Sequence, residues 1–212
     1  MKTLKYLTAI FYMIFSNVIF CQNNQLEKLR IQYSGKNYET YIDNKKIYEE
    51  RLELPPPTPQ ELDKRNNKLS KLFTIPLNER LKLFPFNIYD SIYIVTPNCI
   101  ENIEDPRNYL DKKYHKTIRI ITKSEINKLS NILFNYYLLD YKQSIKTYSK
   151  TSCIKSEYPK IILLFKKNGQ YQNFISIPIE TNKRWSFTDQ EIELFEMSTE
   201  KEEKILKLFK ME

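Results

Sequence analysis

A chain of 212 residues with 41% apolar and 14% aromatic content holds enough material for one domain with a sizeable core, which excludes an intrinsically disordered chain. Its formal charge of +8 falls to about +6 once Lys2 and Lys5 of the N-terminal run are set aside, and that mild excess does not impose a nucleic-acid partner. Two glycines and one histidine exclude clustered-glycine phosphate loops, the dinucleotide fingerprint, the Gly-x-Ser-x-Gly elbow and His-Glu-x-x-His zinc sites.

Residues 1–21, MKTLKYLTAIFYMIFSNVIFC, carry the marks of a secretory signal peptide. Lys2 and Lys5 precede an apolar stretch from Leu7 to Phe15, and Ser16-Asn17 interrupts it before it reaches the length of a membrane span. The chain is therefore expected to be exported, to the periplasm or beyond. Cys21 has three readings: a lipid anchor, half of a disulfide, or the last residue of the leader. Phe20 is bulky where a lipidated cysteine wants a small neighbour, so cleavage after Cys21 is the preferred reading, leaving Gln22 as the new N-terminus. Cys99 and Cys153 then remain in an oxidising compartment, either as one disulfide or as two separate buried thiols, and the sequence leaves both open. No Cys-x-x-Cys pair supports a thioredoxin-like redox motif.

Residues 22–54 read as a peripheral, charged, tyrosine-rich segment with weak helical periodicity, interrupted by Gly35. Pro55, Pro56, Pro57 and Pro59 make 55–59 a stiff linker, and 60–212 is expected to be a single domain. Thr58, Pro59 and Glu61 predict a capped helix through LDKRNNKLSKLF, followed by a short helix over LNERLKLF. A tyrosine- and isoleucine-rich run predicts a strand over 89–95, and the polar 98–116 reads as loop. Ile118, Ile120 and Ile121 predict a strand over 117–121. Thr122 and Glu125 form a capping box, and Ile126, Leu129, Leu133 and Tyr136 recur at helical spacing over 123–140. Strands at 160–166 and 171–179 flank Asn168-Gly169, the strongest two-residue hairpin signal. A last strand around Trp185 and Phe187 and a C-terminal helix with Ile205, Leu208 and Phe209 on its apolar face complete the chain. The expected fold class is α+β: an antiparallel sheet of about four or five strands with helices on one face, plus the peripheral N-terminal helical segment.

Candidate chemistry is sparse. His115, in DKKYHKT, reads as an ordinary surface histidine rather than a catalytic base. Glu101, Glu104 and Asp105, and separately Asp189, Glu191 and Glu193, read as solvated acidic faces; paired-carboxylate hydrolysis and calcium binding are their alternatives. Lys112, Lys113, Lys116 and Arg119 form a basic run around Tyr114, with Lys142, Lys146 and Lys150 further along the chain. That run is either a solvated loop or a basic surface. No catalytic residue, cofactor or metal is expected. The preferred function is a non-catalytic binding or structural module of the cell envelope, with an envelope protein or an anionic polymer as partner and nucleic acid disfavoured. The alternatives are an exported carboxylate-dependent hydrolase and a basic-surface binder of anionic lipid or polysaccharide.

FPFNIYDSIYIV (84–95), ITKSEINKLSNILFNYYL (121–138), Cys153 and PKIILLFKKNGQYQNFISIPIE (159–180) occur in an order that resembles small uncharacterised exported proteins of Bacteroidota. The resemblance spans about 85–181. It implies export and the strand, helix, cysteine, strand-turn-strand order, and it brings no activity with it. In that group two cysteines around a Phe-Glu pair end the return strand. Here Glu180 is retained while Pro178 and Thr181 stand at the cysteine positions, so no redox or metal role carries over.

Overall fold

The computed structural model describes residues 25–52, 68–98, 109–139, 160–177 and 199–210. The fold is α+β with two antiparallel sheets, one of four strands and one of two. The larger sheet has the order β3-β2-β5-β6, with β2 at Ser91–Pro97, β3 at His115–Ile120, β5 at Ile161–Lys167 and β6 at Gln170–Ile177. All four strands were expected, each displaced by a few residues at its ends. Asn168 (φ 50°) and Gly169 (φ 79°) form the tight connection between β5 and β6, where both residues need the left-handed region that Gly and Asn tolerate. Asp90 Oδ2 accepts the Asn168 N–H at 2.8 Å and ties this turn to the start of β2.

The strand register gives each face of the sheet its own core. Ile92 lies opposite Phe165, and Ile94 opposite Leu163, which in turn lies opposite Ile175. These residues share one face with Ile161 and Ile177 and join the main hydrophobic cluster. That cluster is completed by helix α4 (Lys123–Asn135), through Leu129, Ile132 and Leu133, and by helix α5 (Thr199–Leu208), through Ile205 and the following Phe209. The two helices lie beside one another, as the apolar spacing of both segments predicts. The opposite face holds a smaller cluster of Val95, Ile162, Leu164 and Phe174 under Tyr109.

Two expectations are corrected around the smaller sheet. Residues 68–71 were expected inside a helix, and they form strand β1 (Lys68–Lys71). The helix expected over 123–140 ends at Asn135, and the chain passes directly into strand β4 (Tyr136–Leu139). β1 and β4 pair antiparallel, Lys71 opposite Tyr136 and Leu69 opposite Leu138. Helical spacing does not stop at Asn135. The stop comes from its carbonyl, which accepts the N–H groups of Leu72 (3.1 Å) and Phe73 (3.2 Å) and leaves Tyr136 onward to a ladder. Between these strands the expected second helix is one turn, α3 (Leu77–Arg80), followed by turns through Ile88.

The N-terminal segment is helical, as expected, and Gly35 (φ 53°) breaks it in two, α1 over 25–33 and α2 over Tyr38–Leu52. It is tied into the core. Tyr41 is 1% exposed, edge-on to Phe73 at 4.9 Å and Tyr137 at 5.2 Å, and Leu26 and Leu29 join the same cluster. The Arg30 guanidinium stacks over Phe73 and Tyr137. Tyr33 O accepts the Thr74 N–H at 3.0 Å, and Asn37 donates to Leu72 O at 3.0 Å.

Candidate functional site

Cys21, Cys99 and Cys153 lie outside the described residues, as do both acidic clusters (101–105 and 189–193), Trp185 and Phe187, the 55–59 linker and the Thr58–Glu61 cap. His115 and the basic run are described, and they converge on the outer strand of the larger sheet.

β3 is an edge strand, and among the described residues nothing pairs with its outer side. Ile121 N donates to Ile92 O at 3.0 Å, which fixes the phase of the ladder. Alternation in an antiparallel pair then turns the backbone groups of Thr117 and Arg119 toward β2 and those of Ile118 and Ile120 outward. The Arg119 guanidinium donates to the Ile120 carbonyl at 3.3 Å. The Ile118 N–H and C=O and the Ile120 N–H have no hydrogen-bond partner among the described residues. Both side chains are also exposed, Ile118 by 40% and Ile120 by 55%, and they lie opposite Val95 and Tyr93 on the face away from the helices. Leaving a β-branched side chain half in water forgoes about 1 kcal/mol of burial, so two alternate isoleucines on one open edge are an energetic oddity.

The face beside them is aromatic and basic. Tyr93 and Tyr171 meet edge-on at 5.5 Å, and the Lys166 ammonium lies 5.7 Å from both ring centroids. Burial, with Tyr93 beside it, pushes the Tyr171 phenol above its usual range. His115 is half-buried rather than on the surface. Its Nε2 donates to the Tyr109 carbonyl at 2.7 Å, which places a proton on Nε2, and the buried Nδ1 has no hydrogen-bond partner among the described residues. Its ring also stands edge-on to Tyr171. This histidine therefore pins the 109–114 turn against the sheet.

The four basic residues singled out in the sequence do not act alike. Arg119 makes a two-pronged ion pair with Glu125, at 2.7 and 3.0 Å. Lys113 pairs with Asp111 at 3.2 Å and lies over the Tyr114 ring; Asp111 raises the ammonium, and the Lys113 backbone N–H, first among several bonds, lowers the Asp111 carboxyl. Lys112, just before β3, and Lys116, its second residue, are exposed, and Lys123 stands at the start of α4. Among the described residues the edge thus keeps a positive excess even after the two internal pairs.

Besides Arg30, which lies over Phe73 and Tyr137, sequence reasoning missed two further buried cations among the described residues. Arg80 donates to the Asn127 carbonyl (2.7 Å), the Asn127 side chain (2.6 Å) and the Ser130 hydroxyl (2.8 Å), all neutral acceptors, and burial lowers its basicity. Lys201 is fully buried and donates to the Leu133 carbonyl at 3.3 Å, which fastens α5 to α4. The only sequence signal for either was its place near an apolar stripe, where a long side chain can lay its stem.

Among the described residues, no group of three or more His, Cys, Asp or Glu side chains is placed to hold a metal ion, and no helix is long and apolar enough to cross a membrane. No model of a known protein family, no curated protein and no solved structure matches the chain.

Proposed function

We propose that the chain is an exported, non-catalytic binding module of the cell envelope that engages a partner at the outer edge of β3 and the adjoining helix-free face. The carrying observation is the pair of exposed isoleucines on an open edge, flanked by Lys112 and Lys116 and by the Tyr93–Lys166–Tyr171 group. An edge strand with apolar side chains and free backbone groups is a template for association, and proteins that do not use such an edge blunt it. The leader pattern of residues 1–21 supports export.

The test has two arms. Edman sequencing of chain recovered from the periplasm or medium should start at Gln22; a chain that keeps residues 1–21 and stays with the cytoplasm overturns export. In native envelope extracts the wild type should elute in an assembly larger than the monomer, and an Ile118→Lys/Ile120→Lys variant of unchanged circular dichroism should elute alone. A wild type that elutes as a monomer, or a variant that keeps the assembly, overturns the binding reading.

One specific observation favours a second reading, binding to anionic lipid or polysaccharide: the positive excess beside β3. It predicts retention on anionic supports that falls steeply with salt, with Lys112→Gln and Lys116→Gln each weakening it.

A further inference from the structure

We propose that the outer edge of β3 accepts an extended, acidic polypeptide segment of a partner protein as a fifth strand of the larger sheet. This rests on the binding-module reading and names its ligand class.

Three features of the edge converge on that ligand. The first is the backbone. Ile118 presents its N–H and C=O outward and Ile120 its N–H, so an incoming strand finds a short run of ladder positions already in strand geometry. The second is side-chain alternation. A guest strand sends every second residue to the helix-free face, where Ile118 and Ile120 stand exposed and neighbour Tyr93 and Val95. Apolar guest residues at that spacing would cover both isoleucines. The third is charge. Lys112 precedes the strand, Lys116 is its second residue and Lys123 follows it, while Arg119 and Lys113 are already held by Glu125 and Asp111. A guest bearing carboxylates at its alternate positions matches that excess. A second copy of this chain would bring the same positive excess to the joint and be repelled, which is how edge lysines discourage self-pairing. The six residues of β3 set the length of the guest at a similar span.

The probe is a labelled, end-blocked octapeptide alternating glutamate with valine, titrated into the full mature chain and read by fluorescence anisotropy. Hydrogen exchange of the Ile118 and Ile120 amides is followed by NMR. The expected result is saturable binding with slowed exchange at those two amides. N-methylation of alternate peptide nitrogens should abolish binding, and an alternating lysine-valine peptide should not bind. Ile118→Pro should weaken binding about tenfold or more. That substitution removes an outward N–H and leaves the β2–β3 ladder intact; Ile120→Ser, which keeps every backbone group and adds no charge, should weaken it as well.

Equal binding of a scrambled peptide, polyglutamate or phosphatidylglycerol vesicles overturns strand addition in favour of a charged surface, and the binding-module reading survives that outcome. Unchanged exchange at Ile118 and Ile120, or no binding of the alternating peptide, also overturns it, while the elution behaviour in envelope extracts decides the broader reading separately. A concentration-dependent dimer in sedimentation that is lost in Ile118→Pro assigns the edge to a second copy and overturns it too.

Discussion

Asn135 shows how much one side chain can carry. Its Oδ1 accepts the Ile75 N–H at 2.9 Å, and its Nδ2 donates to Ile75 O at 3.2 Å and to Asn131 Oδ1 at 2.8 Å. Its backbone carbonyl takes two further N–H groups, so the turn after β1 hangs on this residue. Asn135→Ala would leave both polar groups of Ile75 buried without partners. We expect a loss of about 2–4 kcal/mol, read as a fall in the urea midpoint. A loss below about 0.5 kcal/mol would mean that the turn is held by packing alone. In the sequence Asn135 was one polar letter inside a helical stripe, because the bond that defines it reaches a residue 60 positions away.

At the scale of the element, the start of α4 was fully legible. Thr122 Oγ1 accepts the Glu125 N–H and the Glu125 carboxylate accepts the Thr122 N–H, the reciprocal box read from the two letters and their spacing. What was not legible is that Arg119, on the preceding strand, reaches the same carboxylate. Its guanidinium is the main cause that draws the Glu125 carboxyl from 4.5 to about 2; partial burial opposes this and the Thr122 bonds assist. A carboxyl lowered on folding stabilises the fold at pH values above its unfolded range, and that contribution drains away as pH falls from about 4.5 toward 2. Arg119 is half exposed, so solvent screens the pair and the effect is modest. Glu125→Gln should lose about 1 kcal/mol at neutral pH, and the gap to wild type should close over that acid window, measured by denaturation at a series of pH values.

At the scale of the whole molecule, the N-terminal helices pack into the same hydrophobic cluster as the sheets. Tyr41 is the joint: its ring packs on Phe73 and Tyr137, and its hydroxyl donates to Glu27, which also binds Lys45 at 2.7 Å. The Lys45 and Tyr41 bonds outweigh the burial that would raise the Glu27 carboxyl and hold it below its usual range. Tyr41→Ala should cost about 3–5 kcal/mol by opening a cavity against Phe73 and Tyr137, and Tyr41→Phe only about 1 kcal/mol. Both should unfold in a single transition in calorimetry. A separate early transition would show the segment to be an independent appendage.

The sequence by itself determined the local features. The Asn168-Gly169 turn follows from residues that tolerate positive φ, the Thr122–Glu125 cap from side chains of the right reach, and the four long strands from isoleucine- and tyrosine-rich runs. Each depends on neighbours a few residues apart. The tertiary structure alone decided that KLSK pairs with YYLL instead of continuing a helix, since that ladder joins segments with weak local preference of their own. It alone decided that His115 is a half-buried pin, that Arg119 and Lys113 are held by carboxylates while Lys112 and Lys116 have no carboxylate partner among the described residues, and that β3 ends up at the edge. Strand order is set by long-range pairing, which periodicity cannot encode. An isoleucine inside the sheet and one on its rim are therefore the same letter in the sequence, and only the fold makes Ile118 and Ile120 a surface.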